Sequence, residues 1–404
     1  MLRRLFAFAV LCLLVPSLAW GQTPAKSEKK VIVGQKVEKK DGSKPSGKGA
    51  NAKKNGKANN KTAGKNADNI TTSQSATGVP ITGAGPASTI LDEAILRFIE
   101  QSRCTGATLA ISKDGQLLYS RGYGWLDEAK SKNVQPDTPM RVASVSKPIT
   151  AAAIRGLIRD GRLTLDTKVW DVLGLKPASD VALDPRWRQI TIGQLLEHKG
   201  GWDIQALGFD PMFQAKRVAR ELKLDHGAGP DETVQWMLGK PLQFNPGERS
   251  SYSNFGYCVL GRVIEKLSGR PYIDYLRQQV FRPVGIDPKE IMLAYADTEK
   301  RDSLEPWYNQ PLDVDVMDAH GGVVISAPVL CKFLEAYWIS GEPRKPGEHG
   351  AVYTFFGSMP GTSAIAHQRA DGINFACEFN GRHGDANQNR LTAELNRLID
   401  GLGR

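Results

Sequence analysis

The stretch SVSKPIT, residues 144–150, places a serine three positions before a lysine at the start of an apolar helical run. Residues three apart share one face of a helix, so the Ser144 hydroxyl and the Lys147 amine can meet. A serine hydroxyl becomes a nucleophile when a neighbour takes its proton, and a lysine amine of lowered pKa can do so. Pro148 belongs near the first turn of a helix, which puts Ser144 at the positive end of the helix dipole, where a developing oxyanion is favoured.

The same stretch has a second interpretation, in which Ser144 only caps the helix. Ser-x-x-Lys arises by chance in a chain of this length, and Ser27 and Lys30 form another example. Of these two serines, Ser144 is the one that precedes a long apolar helical pattern. The stretch therefore makes Ser144 and Lys147 candidate catalytic residues, and it does not decide between helix capping and catalysis.

A second motif, Tyr252-Ser253-Asn254, stands directly before another helical pattern, 108 residues after Ser144. A tyrosine phenol can relay a proton to a leaving group, and an asparagine amide can hold a substrate carbonyl and orient the lysine. The pattern Tyr-x-Asn occurs once in the chain. Taken alone, it favours a core tyrosine and a helix-capping asparagine.

Strands are predicted near both ends of the main domain and helices between them, with order beginning near Ser88. ATLAIS and QLLYSRGYG flank an Asp-Gly turn, and GTSAIAH and GINFACEFN are joined at residues 369–372. The main helical patterns are AAAIRGLIRDGRL, ITIGQLLEH, FGYCVLGRVIEKLSG, APVLCKFLEAYW and LTAELNRLIDGL. Strands joined by short turns form an antiparallel sheet, so we expect an α/β (α+β) fold with this sheet flanked by helices and a mostly helical lobe.

The first 85 residues differ in composition from the rest. Residues 1–21 contain two arginines, a short apolar run and Gly21, which is typical of a cleaved secretory signal. That run is too short for a transmembrane segment, so we expect an exported, periplasmic or extracellular protein. Residues 22–85 contain no Phe, Trp or Tyr and are rich in Lys, Gly and Asn, which predicts a disordered linker.

The basic tail accounts for most of the net charge of +10, since residues 22–70 contain thirteen lysines and four acids, a net charge of +9. We expect a solvated spacer, or a weak contact between the tail and an anionic envelope polymer. The segment has neither arginine nor interleaved aromatic residues, so specific nucleic-acid binding is not expected.

SVSK with its helix and LTLD, then ITIGQLLEHKGG, then FNPGERSSYSNFGYCVLGRVIEKLSG, are similar to the motifs of the serine β-lactamase-related hydrolases. This family includes class C β-lactamases, D-Ala-D-Ala carboxypeptidases, D-aminopeptidases and family VIII carboxylesterases. The resemblance runs from about residue 88 to residue 404 and implies a β-lactamase/transpeptidase-like fold, with a hydrolase domain at 86–404. It implies that Ser144 is the acylated nucleophile, Lys147 its general base, Tyr252 a partner in proton relay and Asn254 a substrate contact.

The third motif of that family, Lys-Thr-Gly or His-x-Gly, lies on a strand, and its basic residue helps to bind a substrate carboxylate. This chain has Phe355-Phe356-Gly357 at the corresponding position, followed by Ser358. A phenylalanine supplies neither a proton nor a charge, so we expect an esterase rather than a β-lactamase, with Phe355 lining the substrate site. The resemblance also implies an oxyanion site made by the backbone N–H of Ser144 and that of Gly357 or Ser358.

A rival for the third motif is His320-Gly321-Gly322. In relatives, a Gly-Gly segment followed by a serine and a helix usually forms a wall of the site. Two expectations therefore stand for His320: it faces the cleft as a substrate-binding group that replaces the missing base, or it is a hydrogen-bonded turn residue.

The remaining histidines and cysteines give no signature of a metal site. The loop residues His198 and Trp202 are expected to be structural, and three later histidines lack ligand spacing: His349, His367 and His383. We expect mostly buried free thiols for Cys104, Cys258, Cys331 and Cys377, although an exported protein could pair some of them. No phosphate-binding glycine loop is present, so neither a metal nor a cofactor is expected.

The leading hypothesis is an exported serine hydrolase that forms an acyl-enzyme on a small-molecule or peptide substrate, at an ester or amide bond. The alternative is an envelope binding protein that keeps the fold without useful turnover, because Phe355 replaces the basic residue. Lys147 separates the two hypotheses, since a pure binding protein does not need it.

Overall fold

The computed structural model describes residues 70–83, 89–102, 104–177, 182–295, 305–306, 308, 312 and 314–402. The predicted signal at residues 1–21 and the predicted linker as far as residue 69 lie outside these described residues. Within the described part, no helix is both long enough and apolar enough to cross a membrane.

The described residues form ten β-strands in two antiparallel sheets. The strands are β1 Thr71–Gln74, β2 Pro80–Gly83, β3 Gly106–Lys113, β4 Gln116–Gly124, β5 Met140–Arg141, β6 Met292–Leu293, β7 Val323–Ile325, β8 Tyr353–Met359, β9 Thr362–Gln368 and β10 Ile373–Phe379. Seven strands pair in the order β1-β2-β4-β3-β10-β9-β8, and a small sheet has the order β5-β7-β6. The antiparallel sheet expected from the sequence is confirmed.

Twelve α-helices lie within the described residues. They are α1 Thr89–Ser102, α2 Ser146–Arg159, α3 Val169–Leu173, α4 Ile192–Leu196, α5 Ile204–Leu207, α6 Ala215–Glu221, α7 Pro230–Met237, α8 Asn254–Ser268, α9 Tyr272–Tyr275, α10 Asp318–Gly321, α11 Ala327–Ala336 and α12 Asp385–Leu402. Short 3-10 turns occupy Ala143–Val145, Pro185–Gln189, Pro211–Phe213, Arg282–Val284 and Pro288–Glu290, and a π-helix occupies Leu276–Phe281. Helices α2 to α9 fill the middle of the chain, as the sequence predicted.

The turn between β3 and β4 has the geometry that its Asp-Gly sequence predicts. Asp114 and Gly115 have φ angles of 50° and 80°. Positive φ at both central residues defines the type I′ turn, whose twist matches that of a two-stranded hairpin. This turn sets the register of the two strands, in which Lys113 lies opposite Gln116.

The large sheet lies between two layers of helices, and alternate residues of its strands face one layer or the other. Phe375 and Phe379 of β10 pack with residues of α1 and α12. Ala376, between them, faces the larger core built around α2, α8 and α11. Alanine is also the sheet's contribution to that core at positions 364 and 366, and such small side chains allow the helices to approach the strands closely.

Residues 70–83 correct the prediction that disorder extends to residue 85. They form the hairpin of β1 and β2, and β2 pairs with β4 in the large sheet. Thr82 is fully buried, and its hydroxyl donates to the Val134 carbonyl at 2.6 Å. The composition of 22–85 is dominated by lysines that precede residue 66, which hid the short β-branched segment TTSQSATGVPITG and its turn at Gly78.

Candidate active site

Ser144 lies in the 3-10 turn Ala143–Val145, directly before α2. Ala143 has a φ of 47°, in the left-handed region that residues other than glycine rarely adopt. Such a conformation costs on the order of 1–3 kcal/mol and persists only where surrounding contacts fix it. Pro148 is the third residue of α2, so the helix begins beside Ser144 as its sequence predicted.

Strand β7 provides those contacts on both sides of Ser144. The Val142 N–H donates to the Val323 carbonyl at 3.1 Å, and the Val323 N–H donates to Ser146 Oγ at 3.0 Å. All three residues are fully buried. A shift of the turn relative to β7 would leave buried polar groups without partners, which is costly, so the serine is held in place.

The Lys147 side chain is fully buried and points from α2 toward Ser144. Its Nζ lies 3.2 Å from Ser144 Oγ and donates to Oδ1 of Asn254 at 2.7 Å and to the His320 carbonyl at 2.8 Å. Burial lowers the pKa of Lys147 to about 7, although the charge of Asp210 opposes this shift. A large fraction of the amine is therefore neutral near pH 7, and it contacts the serine hydroxyl.

Tyr252 approaches the same hydroxyl from the segment before α8. Its phenol donates to Ser144 Oγ at 2.7 Å, and its ring centroid lies 4.7 Å from Lys147 Nζ. The side chain is 43% exposed, so it borders the open side of the site. Desolvation raises the pKa of the phenol, which is therefore protonated at neutral pH and able to donate.

His198 holds the segment that carries Tyr252. Its Nδ1 accepts from the Ser253 N–H at 3.2 Å, and its carbonyl accepts from the Ser251 N–H at 2.9 Å. The imidazole also packs against the Tyr252 ring, with centroids 4.7 Å apart. Burial lowers the pKa of His198 to about 3, so the ring is neutral and Nδ1 can accept. These contacts fit the structural role predicted for His198.

Strand β8 passes directly beside the turn Ala143–Val145. A Cβ atom on Gly357 would lie 2.1 Å from the Val142 carbonyl oxygen, a distance that no side chain could occupy. Phe355 lies on the same face of β8 and packs against the core around α2. Ser358 faces the other way, and its hydroxyl donates to the His383 carbonyl at 3.0 Å. Glycine at position 357 thus allows the two backbones to touch.

The comparisons with known proteins agree with this geometry. A family model described as Beta-lactamase matches residues 91–370, which is more than half of the chain. The chain belongs to the beta-lactamase family. Its sequence is 29% identical over 253 residues to Esterase EstB from Burkholderia gladioli, a match that covers 59% of this chain and 61% of EstB. The chain thus spans about three fifths of the length of this curated relative.

Two solved structures place this beta-lactamase family member in its fold. A penicillin-binding protein homologue from Pyrococcus abyssi is 22% identical, with a TM-score of 0.56 over 72% of this chain and 73% of that one. The D-amino acid amidase from Ochrobactrum anthropi SV3 is 21% identical, with a TM-score of 0.57 over 78% of this chain and 99% of that one. The β-lactamase/transpeptidase-like fold expected from the motifs is therefore confirmed.

The His320 side chain is buried in this family member. The residue is 2% exposed, and burial lowers the pKa of its imidazole well below the usual value. Its backbone carbonyl accepts from Lys147 Nζ at 2.8 Å. The Gly-Gly segment that follows continues into β7.

Asp210 is a site residue that the sequence analysis missed. Its Oδ2 accepts from Nδ2 of Asn254 at 2.6 Å. The sequence Asp210-Pro211 indicates a capped turn, which the structure contains, but the contact with Asn254 joins residues 44 apart. A contact of that kind depends on how α8 packs against the turn and has no local signal.

Trp202 and the four cysteines of the described chain are buried. Trp202 is 2% exposed and packs against Trp187 and Phe255, as expected. The four cysteines are buried and free: Cys104, Cys258, Cys331 and Cys377. Among the described residues, no group of three or more His, Cys, Asp or Glu side chains could hold a metal ion.

Proposed function

We propose that this chain is a serine hydrolase that forms an acyl-enzyme at Ser144 on an ester or amide substrate. The observation that carries the proposal is the pair of contacts on one hydroxyl: Lys147 Nζ at 3.2 Å and the Tyr252 phenol at 2.7 Å. One of these neighbours can take a proton and the other can give one. A helix cap needs neither contact.

Lys147 acts as the general base in its neutral form. A neutral amine has two N–H groups and one lone pair, and the two N–H groups are used by Asn254 Oδ1 and the His320 carbonyl. The lone pair is then left for the third neighbour, the Ser144 hydroxyl. As Ser144 Oγ forms a bond to the substrate carbonyl carbon, its proton passes to Lys147 Nζ.

Tyr252 completes the transfer to the leaving group. When the bond between the carbonyl carbon and the leaving oxygen or nitrogen breaks, the phenol donates its proton there and is reprotonated from Lys147. Water then attacks the acyl-enzyme and releases the acid and free Ser144. The exposed side of Tyr252 gives the leaving group and the water a route to the site.

The developing oxyanion is held by the N–H of Ser144 and by a backbone N–H of β8, at Gly357 or Ser358. Two features support this assignment: Ser144 lies at the N-terminal end of α2, and β8 lies against the Val142 carbonyl next to it. Gln388 Nε2 donates to the Gly357 carbonyl at 3.0 Å and holds β8 from the other side.

The substrate class follows from Phe355 and Asn254. Phe355 supplies an apolar surface where the family's third motif carries a cation, so esters without a carboxylate beside the scissile bond are preferred. Asn254 has a second N–H on Nδ2 that can contact a substrate carbonyl. The match to an esterase supports this preference.

We also propose that the protein is exported through residues 1–21 and that its basic tail acts as a spacer or touches an anionic envelope polymer.

The alternative function is a binding protein of the cell envelope with little turnover. Phe355 is the observation that favours it, because a site without the third-motif cation lacks one means of aligning a carboxylate substrate. Ser144, Lys147 and Tyr252 in mutual contact favour the enzyme.

The test is covalent labelling of the mature protein with a fluorophosphonate, followed by intact-mass measurement, with Ser144→Ala as the control. We expect one adduct on the wild type and none on the variant. Hydrolysis of nitrophenyl esters and of a chromogenic cephalosporin then separates an esterase from a β-lactamase. If the folded wild-type protein takes up no label, the hydrolase proposal is overturned and the binding-protein alternative is favoured.

A further inference from the structure

Asp210 lies at the start of the turn Pro211–Phe213, and both of its carboxylate oxygens accept hydrogen bonds. Oδ1 accepts from the Met212 N–H at 3.0 Å, which caps the turn. Oδ2 accepts from Nδ2 of Asn254 at 2.6 Å. The cap fixes the direction of the carboxylate, so Oδ2 presents an acceptor at a fixed place beside the Asn254 amide.

We propose that Asp210 is a positioning residue, which orients the Asn254 amide and thereby keeps the Lys147 amine in its catalytic arrangement; the proposal rests on the proposed function. An asparagine amide accepts through its oxygen and donates through its nitrogen, and a rotation of 180° exchanges the two. With Nδ2 on Asp210, Oδ1 accepts from Lys147 Nζ at 2.7 Å. The opposite orientation would put the amide oxygen against the carboxylate, which can only accept.

Lys147 cannot impose this orientation by itself. The form that takes a proton from Ser144 is neutral, and a neutral amine can either donate to an amide oxygen or accept from an amide N–H. If Asn254 turned its Nδ2 toward Lys147, that N–H would occupy the lone pair that Ser144 needs. The Asp210 carboxylate removes this alternative, so the lone pair stays available to the serine.

The charge of Asp210 acts on Lys147 as well. It raises the pKa of Lys147 and thereby opposes the larger effect of burial, which leaves the value at about 7. The other titratable groups that face Lys147 are uncharged aromatic side chains: His198, His320, Tyr252 and Tyr257. Among the described residues, Asp210 is therefore the source of negative charge at the amine.

The test uses Asp210→Asn, which keeps an oxygen that can cap the turn but removes the charge and the fixed acceptor. The rate of Ser144 labelling by a fluorophosphonate is measured from about pH 5 to about pH 9. The titration of Lys147 is followed in parallel by NMR with ¹³C-lysine, using Lys147→Arg to assign the signal. We expect the labelling plateau at high pH to fall about tenfold. We expect the Lys147 midpoint to move below its wild-type value of about 7.

Asp203→Asn is the matched control. Asp203 also caps a helix, since its Oδ1 accepts from the Gln205 N–H at 2.9 Å, and it pairs with Arg249 rather than with Asn254. This variant should keep the wild-type plateau and midpoint. A wild-type plateau and midpoint in Asp210→Asn would overturn the proposal, as would an equal loss of plateau in both variants with the Lys147 midpoint unmoved. The NMR titration needs no activity, so a wild type that fails to label would refute the hydrolase and still leave Asp210 tested.

Discussion

The turn Ala143–Val145 with the start of α2 and the neighbouring strand β8 form two walls of the candidate site, and they differ in chemistry. The first wall carries Ser144 and a buried Lys147 whose pKa is lowered to about 7. The second carries Phe355 and a glycine whose backbone lies against the Val142 carbonyl. The first wall thus carries the proposed nucleophile and base, whereas β8 contributes backbone and an apolar side chain. The proposed hydrolase therefore assigns proton transfer to side chains outside β8 and substrate selection to β8.

Removing the amine from the first wall has the largest expected effect. Lys147→Met should lower kcat/KM for a nitrophenyl ester by about 10³-fold, because Ser144 loses its general base. The matched control is Lys266→Met, which removes an exposed lysine from α8. If folded Lys147→Met kept near wild-type activity, the general base would have to be another group. The first wall would then not be the one that supplies it.

Changing the contact between the two walls comes next. Gly357→Ala places a Cβ where the Val142 carbonyl oxygen is 2.1 Å away, so β8 or the turn Ala143–Val145 must shift. A displacement of about 1 Å at a catalytic group can cost about 10²-fold in rate, and we expect a loss of that order in kcat. Ser358→Ala is the control, since that side chain faces His383 and its backbone N–H remains. Equal activity of the two variants would mean that the close contact of β8 with Val142 is not needed for catalysis.

The pH dependence of activity and of stability tests the lowered pKa of Lys147 in the first wall. Below about pH 7, kcat/KM should fall about tenfold per pH unit as Lys147 becomes protonated. The lowered pKa of Lys147 also makes the free energy of unfolding depend on pH. Between about pH 7 and the ordinary lysine pKa of 10.5, the unfolded chain holds a proton that the native amine has released. Stability therefore rises with pH in this window. The melting temperature should rise more between the two ends of this pH window for the wild type than for Lys147→Met. An equal rise in both proteins would mean that Lys147 is not the group whose pKa is lowered.

The sequence predicted the first wall better than its surroundings, for physical reasons. Ser144 and Lys147 are three residues apart, so local helix geometry already brings them together. Tyr252 needed the family motif, because nothing local indicates a contact across 108 residues. The Asp210 contact was missed, and the burial of His320 was left open, because both depend on how α8 and α10 pack. The hairpin of β1 and β2 was missed because composition was averaged over a long basic segment that hid a short one.

Restoring a cation to the second wall has the smallest expected effect and tests what β8 selects. Phe355→Lys should raise the ratio of kcat/KM for a carboxylate-bearing cephalosporin to that for a neutral nitrophenyl ester by about two- to fivefold, since a partly exposed ion pair contributes at most about 1 kcal/mol. Tyr353→Lys is the control, because it adds the same charge on the same face of β8, two residues farther from Gly357. A similar ratio change in both variants would mean general attraction of the anion, and only a change confined to position 355 would assign carboxylate recognition to the third motif.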